Sequence, residues 1–197
     1  MGFIKILLII SFFIPSQLLA KVSWNFNRLF NMKNKIIKRF IDDNKDIINQ
    51  SDSDHKTLLC KAIQFKNDEI AKFLIRKGAG LGQVDECVSL PLMYAIAFNR
   101  PLIFRLLLKH GAKVRIDCKK ETTDLFYAII GYSEGNTERL EIIKALVGIT
   151  IVDQKEFQAI KEFFVKTRTK TFGLNKKAAL KQWEKFLKAI DLKVNMN

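Results

Sequence analysis

The chain reads as all-α: a solenoid of stacked helix–turn–helix repeats with short hairpin-like turns between them and helical caps at the ends. Two observations predict this. The first is a period of 33 residues, which separates Ala62, Ala95 and Ala128 and also the pairs Gly78-Ala79 and Gly111-Ala112. A period in this range marks arrays of small units, each burying its apolar face against the next. The second is helical spacing within the period. Leu92, Ala95 and Ile96 share one face, and Leu102, Ile103, Leu106 and Leu107 share another a short turn later. With 48% apolar and 27% charged residues, 197 in all, the chain can bury a core of this kind.

The first twenty residues stand apart. MGFIKILLIISFFIPSQLLA has a single lysine, an apolar run from Ile6 to Ile14, a break at Pro15 and small Ala20 at its end. Those parts, in that order, predict an export signal over residues 1–20, with the mature chain starting at Lys21. The run is short of the ~20 apolar residues that cross a bilayer. Repeats are expected over 21–153: a degenerate unit at 23–52, then units at about 53–85, 86–118 and 119–153. In the degenerate unit, Leu29 and Phe30 sit one period before Ala62 and Ile63, and Ile37 and Ile41 one period before Ile70 and Leu74.

The best-formed unit shows its punctuation. Asn99 ends its first helix, and Pro101 suits the first turn of the next, where a missing N–H costs nothing. Gly78 and Gly111 follow second helices, where a left-handed residue commonly closes the helix. In the third unit Gly131 to Asn136 lengthens the turn, and the second helix, from Leu140, is expected to stop before Gly148. Beyond Asp153 the period fades. Residues 154–197 predict a basic helical cap. Phe157, Ile160 and Phe164 share a face with Asp153 as N-cap, and Leu180, Trp183, Leu187 and Ile190 form a stripe with Asn175 as N-cap. Lys176, Lys177, Lys181, Lys185 and Lys188 lie off that stripe. They fit a solvated outer face, or a basic surface that meets an acidic partner, an anionic membrane or nucleic acid.

Charge is unevenly placed. Residues 51–153 carry 15 basic against 13 acidic side chains, whereas 154–197 carry 11 against 4. Three cysteines, Cys60, Cys87 and Cys118, and two histidines, with no CxxC, speak against a zinc site. Burial of each thiol or one disulfide, Cys87 with Cys118, both remain open. No nucleophile elbow, phosphate loop or paired histidines occur. No catalytic residue, cofactor or metal is therefore assigned. Asp42-Asp43 and Asp52 with Asp54 fit turns and caps.

The repeated motifs resemble the ankyrin repeat, with its T-P-L-H-x-A signature in the first helix and a GA pair after the second. The signature reads Thr57-Leu58-Leu59-Cys60-Lys61-Ala62, Leu90-Pro91-Leu92-Met93-Tyr94-Ala95 and Thr123-Asp124-Leu125-Phe126-Tyr127-Ala128. The resemblance covers about residues 23–153. It departs at the signature histidine, which in the family bonds the first helix to the neighbouring hairpin; Cys60, Met93 and Phe126 stand there instead.

The resemblance implies a protein-binding module, with hairpin tips and first helices lining a concave ligand face. Carried over residue by residue, the partner-binding positions are Ser51, Ser53, Lys56 and Phe65; then Val84, Glu86, Ser89 and Phe98; then Asp117, Lys119, Lys120 and Thr122. Phe65 and Phe98 are again 33 apart. Each ring either anchors a partner or folds back into the core. The 26 lysines against 8 arginines suggest an AT-rich bacterial genome. Bacterial proteins resembling this family are often delivered to eukaryotic hosts, so an exported monomer binding a host protein is the expectation. The alternative is a binder of anionic membrane or nucleic acid through the C-terminal lysines. Export, and the lack of aromatics among those lysines, weighs against nucleic acid.

Overall fold

A computed structural model describes residues 26–52, 55–82, 90–114, 123–133, 135–150 and 154–190. Its elements are α1 (Phe26–Leu29), α2 (Asn34–Asp43), a 3-10 turn (Lys45–Asn49), α3 (Leu58–Gln64), α4 (Asp68–Arg76), α5 (Leu90–Ala97) and α6 (Pro101–Lys109). They continue with α7 (Asp124–Ile130), α8 (Thr137–Ile149), α9 (Gln154–Phe172) and α10 (Lys176–Ile190). The expected export segment, Asp153, Cys87 and Cys118 lie outside the described residues. Among the described residues no strand forms, and no helix is long and apolar enough to cross a membrane.

The helices make two layers. First helices stack in the order α1, α3, α5, α7, α9, and second helices in the order α2, α4, α6, α8, α10, and from α3 onward each also packs on its pair partner. The core consists of rows at the period. Phe26, Leu59, Leu92 and Leu125 form one buried row, and Leu29, Ala62, Ala95 and Ala128 form another. The alanines let neighbouring first helices approach closely. In the second layer Ile37, Ile70 and Ile103 align, as do Ile41, Leu74 and Leu107. The solenoid read from the sequence is what the chain forms.

Caps repeat as well. Thr57 and Thr123 start α3 and α7, their hydroxyls accepting from the N–H of Cys60 at 3.4 Å and Phe126 at 3.2 Å. Asn67 and Asn136 start α4 and α8, accepting from Ile70 N–H at 3.2 Å and Arg139 N–H at 2.9 Å. Such caps are each worth about 1 kcal/mol. Arg100 starts α6 without a side-chain cap, but Pro101 next to it removes one of the donors that would need one. Before these caps stand Lys66, Asn99 and Gly135, all with positive φ. Lys66 and Asn99 are 33 apart, while Gly135 comes 36 after Asn99, so the third turn is longer by three residues. Gly78 and Gly111 close α4 and α6 at φ +80° and +93°. His110 caps α6, its Nδ1 lying 2.9 Å from the Leu106 carbonyl as a donor.

Two expectations need correction. α8 does not stop before Gly148 but continues to Ile149, where Thr150 closes it with its N–H and hydroxyl both on the Leu146 carbonyl. A glycine in a final exposed turn costs only about 1 kcal/mol of helix propensity, too little to end a helix whose next cap is in place. In α10 the buried residues are Ala179, Trp183, Phe186 and Ile190, whereas Leu180 and Leu187 are only half-buried. The stripe shifts because α10 packs against both α9 and α8, which calls for a broader and rotated apolar arc. Asn175 caps α10 as expected, accepting from Ala178 N–H at 2.8 Å. The fading of the period does not end the architecture: α9 stacks on α7 and α10 on α8.

Candidate protein-interaction face

The first-helix layer positions the aromatic side chains that the sequence singles out. Phe65 follows α3 directly and is 44% exposed; its ring stacks on Phe30 of the preceding unit, with centroids 5.4 Å apart and planes at 10°. Phe98 follows α5 and is half-buried, tilted against Tyr94 at 5.8 Å. Neither ring is core. One period beyond Tyr94, Tyr127 is 40% exposed on α7. The Lys56 ammonium lies 5.9 Å from the centre of the Tyr94 ring, a cation–π distance that links the turn before α3 to the next unit. Tyr94 and Tyr127 lie outside the expected binding positions, although the same 33-residue spacing relates them.

Of the other expected binding positions, Ser51 is exposed and forms an isolated antiparallel bridge with Thr57. Ser53, Val84, Glu86, Ser89, Asp117, Lys119, Lys120 and Thr122 lie outside the described residues. The aromatic row ends at Gly131, one period after Phe98. The Arg139 guanidinium occupies the space there: a Cβ on Gly131 would meet its Nη2 at 2.8 Å. Arg139 stands three residues after the cap Asn136, as Ile70 and Ile103 follow Asn67 and Arg100, so it fills a buried isoleucine position. Its Nη2 donates to the Ala97 carbonyl at 3.4 Å, and burial pushes its pKa below the ordinary value.

Beneath the face lies a buried charge pair that sequence reading missed. Lys61, on α3, is 2% exposed, and its ammonium is 3.2 Å from Asp52 Oδ2 and 2.9 Å from Asn27 Oδ1. Asp52 in turn accepts from the Lys56 N–H at 3.0 Å, while its own N–H donates to the Lys56 carbonyl at 2.9 Å. These bonds fix a tight hairpin, with His55 at φ 57°, against the first helix of the same unit. Lys61 and Asp52 thus join helix to hairpin where the signature histidine is absent. Asp52 keeps its expected place in a turn and adds this second partner. Cys60 beside them is buried, which raises its pKa above the ordinary thiol value. Among the described residues no group of three or more His, Cys, Asp and Glu could hold a metal ion.

Units are tied to each other by polar contacts that span about one period. Asn67 Nδ2 donates to Asn34 Oδ1 at 2.7 Å, Gly80 N–H to Asn49 Oδ1 at 2.7 Å, and Arg100 Nε to Asp68 Oδ1 at 2.9 Å. Lys77 meets Asp42 at 2.7 Å and Arg105 meets Glu141 at 3.1 Å. Contacts of this range are what nearest-neighbour coupling in an array requires.

Comparison with known proteins agrees with this geometry. Residues 90–119 match the ankyrin repeat family model. A 71-residue stretch, 36% of this chain, is 39% identical to part of the human transient receptor potential cation channel subfamily A member 1, covering 6% of that protein. A 100-residue stretch, 50% of this chain, is 29% identical to part of the putative ankyrin repeat protein FPV022 of fowlpox virus, covering 17% of it. The chain therefore spans less than a fifth of the length of either relative. No solved structure matches it. With helix pairs stacked in two layers at a 33-residue period and an ankyrin repeat matched at their centre, the chain has the fold of an all-α, ankyrin-like repeat solenoid.

Proposed function

We propose that this solenoid is an exported module that binds a host protein along its first-helix face. Ankyrin repeats are protein-interaction modules, and the observation that carries the reading here is the aromatic row on that face. Phe65 and Tyr127 are 44% and 40% exposed, with Tyr94 and Phe98 half-buried among them. Rigid aromatic side chains that project from packed helices dominate interface energetics, because little conformational entropy is lost when they are covered. Export rests on the charged, apolar and small-residue parts of residues 1–20, and a host partner on the lysine-rich composition and the family resemblance.

The test is capture from host-cell extract by wild type and by Phe65→Ala, followed by titration of the captured protein. Truncating an anchor of this kind costs about 2 kcal/mol, or roughly thirtyfold in affinity. Phe65→Ala is expected to lose that much while staying folded, its melting temperature lowered only by the lost Phe30 stacking, worth about 1 kcal/mol. Unchanged affinity would remove the aromatic row from the interface. Intact mass of the protein recovered from culture supernatant checks export: the mature chain should begin at Lys21, and a mass that includes residues 1–20 would contradict cleavage.

A further inference from the structure

The far end of the array is cationic. From Phe163 to Ile190 there are seven lysines and one arginine against a single acid, Glu184. All seven lysines are exposed, while the apolar side of α10 is consumed by packing on α8 and α9. Lys177, Lys181, Lys185 and Lys188 fall at i, i+4, i+8 and i+11, which places them on one face of α10 along ~16 Å of its length. At the turn between α9 and α10 stands Phe172, 59% exposed, the most exposed large apolar side chain among the described residues.

This tip is held in place. The Arg168 guanidinium lies 4.8 Å from the Phe164 ring centre and 4.9 Å from that of Phe172, and it donates to the Tyr132 carbonyl. Phe172 is thus fastened over a buried arginine while its other side stays in water. Lys170 precedes it, and Lys176 and Lys177 follow across Gly173. The Arg168 contact uses one side of the ring; a solvated cap would gain nothing from leaving the other side of a phenyl ring in water at its tip.

We propose that the α9–α10 end docks on an anionic phospholipid bilayer. Phe172 enters the boundary between headgroups and acyl chains, and the lysines of the turn and of the α10 face meet lipid phosphates and carboxylates. A straight row of charge suits a planar surface of diffuse charge. An acidic peptide would be held instead by a groove of matched shape, and the exposed side of a single helix offers none. Because the apolar arc of α10 is already buried, that helix cannot sink into the bilayer. Binding is therefore electrostatic in the main, with one aromatic anchor, and falls steeply with salt.

Co-sedimentation of the full chain with vesicles tests this, comparing pure phosphatidylcholine with vesicles of which about a third is phosphatidylserine. Residues 1–20 are apolar enough to bind either kind, so the quantity read is the gain from neutral to anionic vesicles. Wild type should show that gain at about 0.1 M salt and lose it at about 0.5 M. Each lysine at such a surface contributes about fivefold, so Lys177→Gln/Lys181→Gln/Lys188→Gln together should cut the gain about a hundredfold. Phe172→Ala should weaken anionic binding about tenfold. Circular dichroism melts of the triple lysine variant should match wild type, since its side chains are exposed, whereas Phe172→Ala, which also loses the Arg168 contact, should keep its helix content and melt slightly lower. No gain from anionic lipid, or an undiminished gain in the triple variant, overturns the proposal. Binding of polyglutamate without binding to phosphatidylserine vesicles would also overturn it, in favour of an acidic protein partner.

Discussion

The central helix pairs, α3–α4 and α5–α6, and the terminal pair, α9–α10, occupy equivalent places in the two layers but are built differently. Central helices are seven to nine residues long, whereas α9 and α10 have 19 and 15. Central pairs are joined to their neighbours by rows of aliphatic side chains and by period-spanning polar contacts. The terminal pair is held by rings: Trp183 meets Phe157 at 5.5 Å, Phe164 at 5.2 Å and Phe186 at 5.3 Å, and Tyr132 reaches Phe186 at 5.0 Å. The difference follows from neighbours. A central pair buries both sides and can be short, because each interface adds to the other. Among the described residues α9–α10 has a neighbouring pair on one side, so that interface and the packing between its own two helices carry their ordering cost. Large rings supply more buried area per residue than isoleucine does.

The largest effect should come from breaking that ring cluster. Trp183→Ala removes the side chain shared by three ring contacts and should cost about 3–5 kcal/mol. Because the contacts are local to one end, hydrogen exchange should show α9 and α10 losing protection while α3 to α6 keep theirs. Equal loss in both regions would mean that the array folds as one indivisible unit and that the contrast between its pairs is only architectural.

The charge pair of the central region comes next. Asp52→Ala takes the carboxylate away from the buried Lys61 ammonium, and breaking a buried pair from one side costs about 3 kcal/mol. Asp52→Ala combined with Lys61→Met removes both charges and should recover most of that loss in denaturant unfolding. If the double variant is as unstable as the single one, the pair does not couple helix to hairpin. Trp183→Ala and Asp52→Ala should add, since the pairs α5–α6 and α7–α8 lie between them.

The parts of this molecule legible in the sequence are those set by backbone chemistry. The period, the left-handed glycines 78 and 111, Pro101 at its helix start and Asn175 as a cap all follow from local rules, and each is found in place. What required tertiary contacts was misread. Lys61 looks like a solvated lysine because nothing adjacent in sequence shows that Asp52 and Asn27 close over it. Phe186 is buried where the spacing points to Leu180 and Leu187, because a stripe drawn for one neighbour cannot show that α10 has two. The continuation of the layers through α9 and α10 was hidden because stacking needs matched apolar surfaces and no particular residues, so the signature can vanish while the geometry persists. For the proposed binding face, the 33-residue spacing picks out Phe65 and Phe98. The tyrosines at 94 and 127 escaped because they sit inside the signature, at the position that is a buried lysine one unit earlier.

The smallest expected effect concerns the polar contacts between central units, and it is read against pH. The Glu69 carboxylate accepts from the Lys38 ammonium and from Asn34 in the preceding unit, and these bonds, with Lys38 the larger cause, hold its pKa below the ordinary 4.5. A group with a depressed folded-state pKa stabilises the fold in full above its unfolded value, and that stability is lost as pH falls through the folded value. Glu69→Gln should therefore lower the melting temperature slightly at pH 7, and the difference from wild type should shrink below pH 4.5 and vanish once the carboxylate is protonated in both states. Since the pair is exposed, salt should shrink it too. Thermal melts of the two proteins at neutral and acidic pH, each at low and high salt, decide the matter. A difference that persists in acid would show that Glu69 acts through packing rather than charge. The polar tie between units would then work by the same means as the ring cluster at the terminal pair.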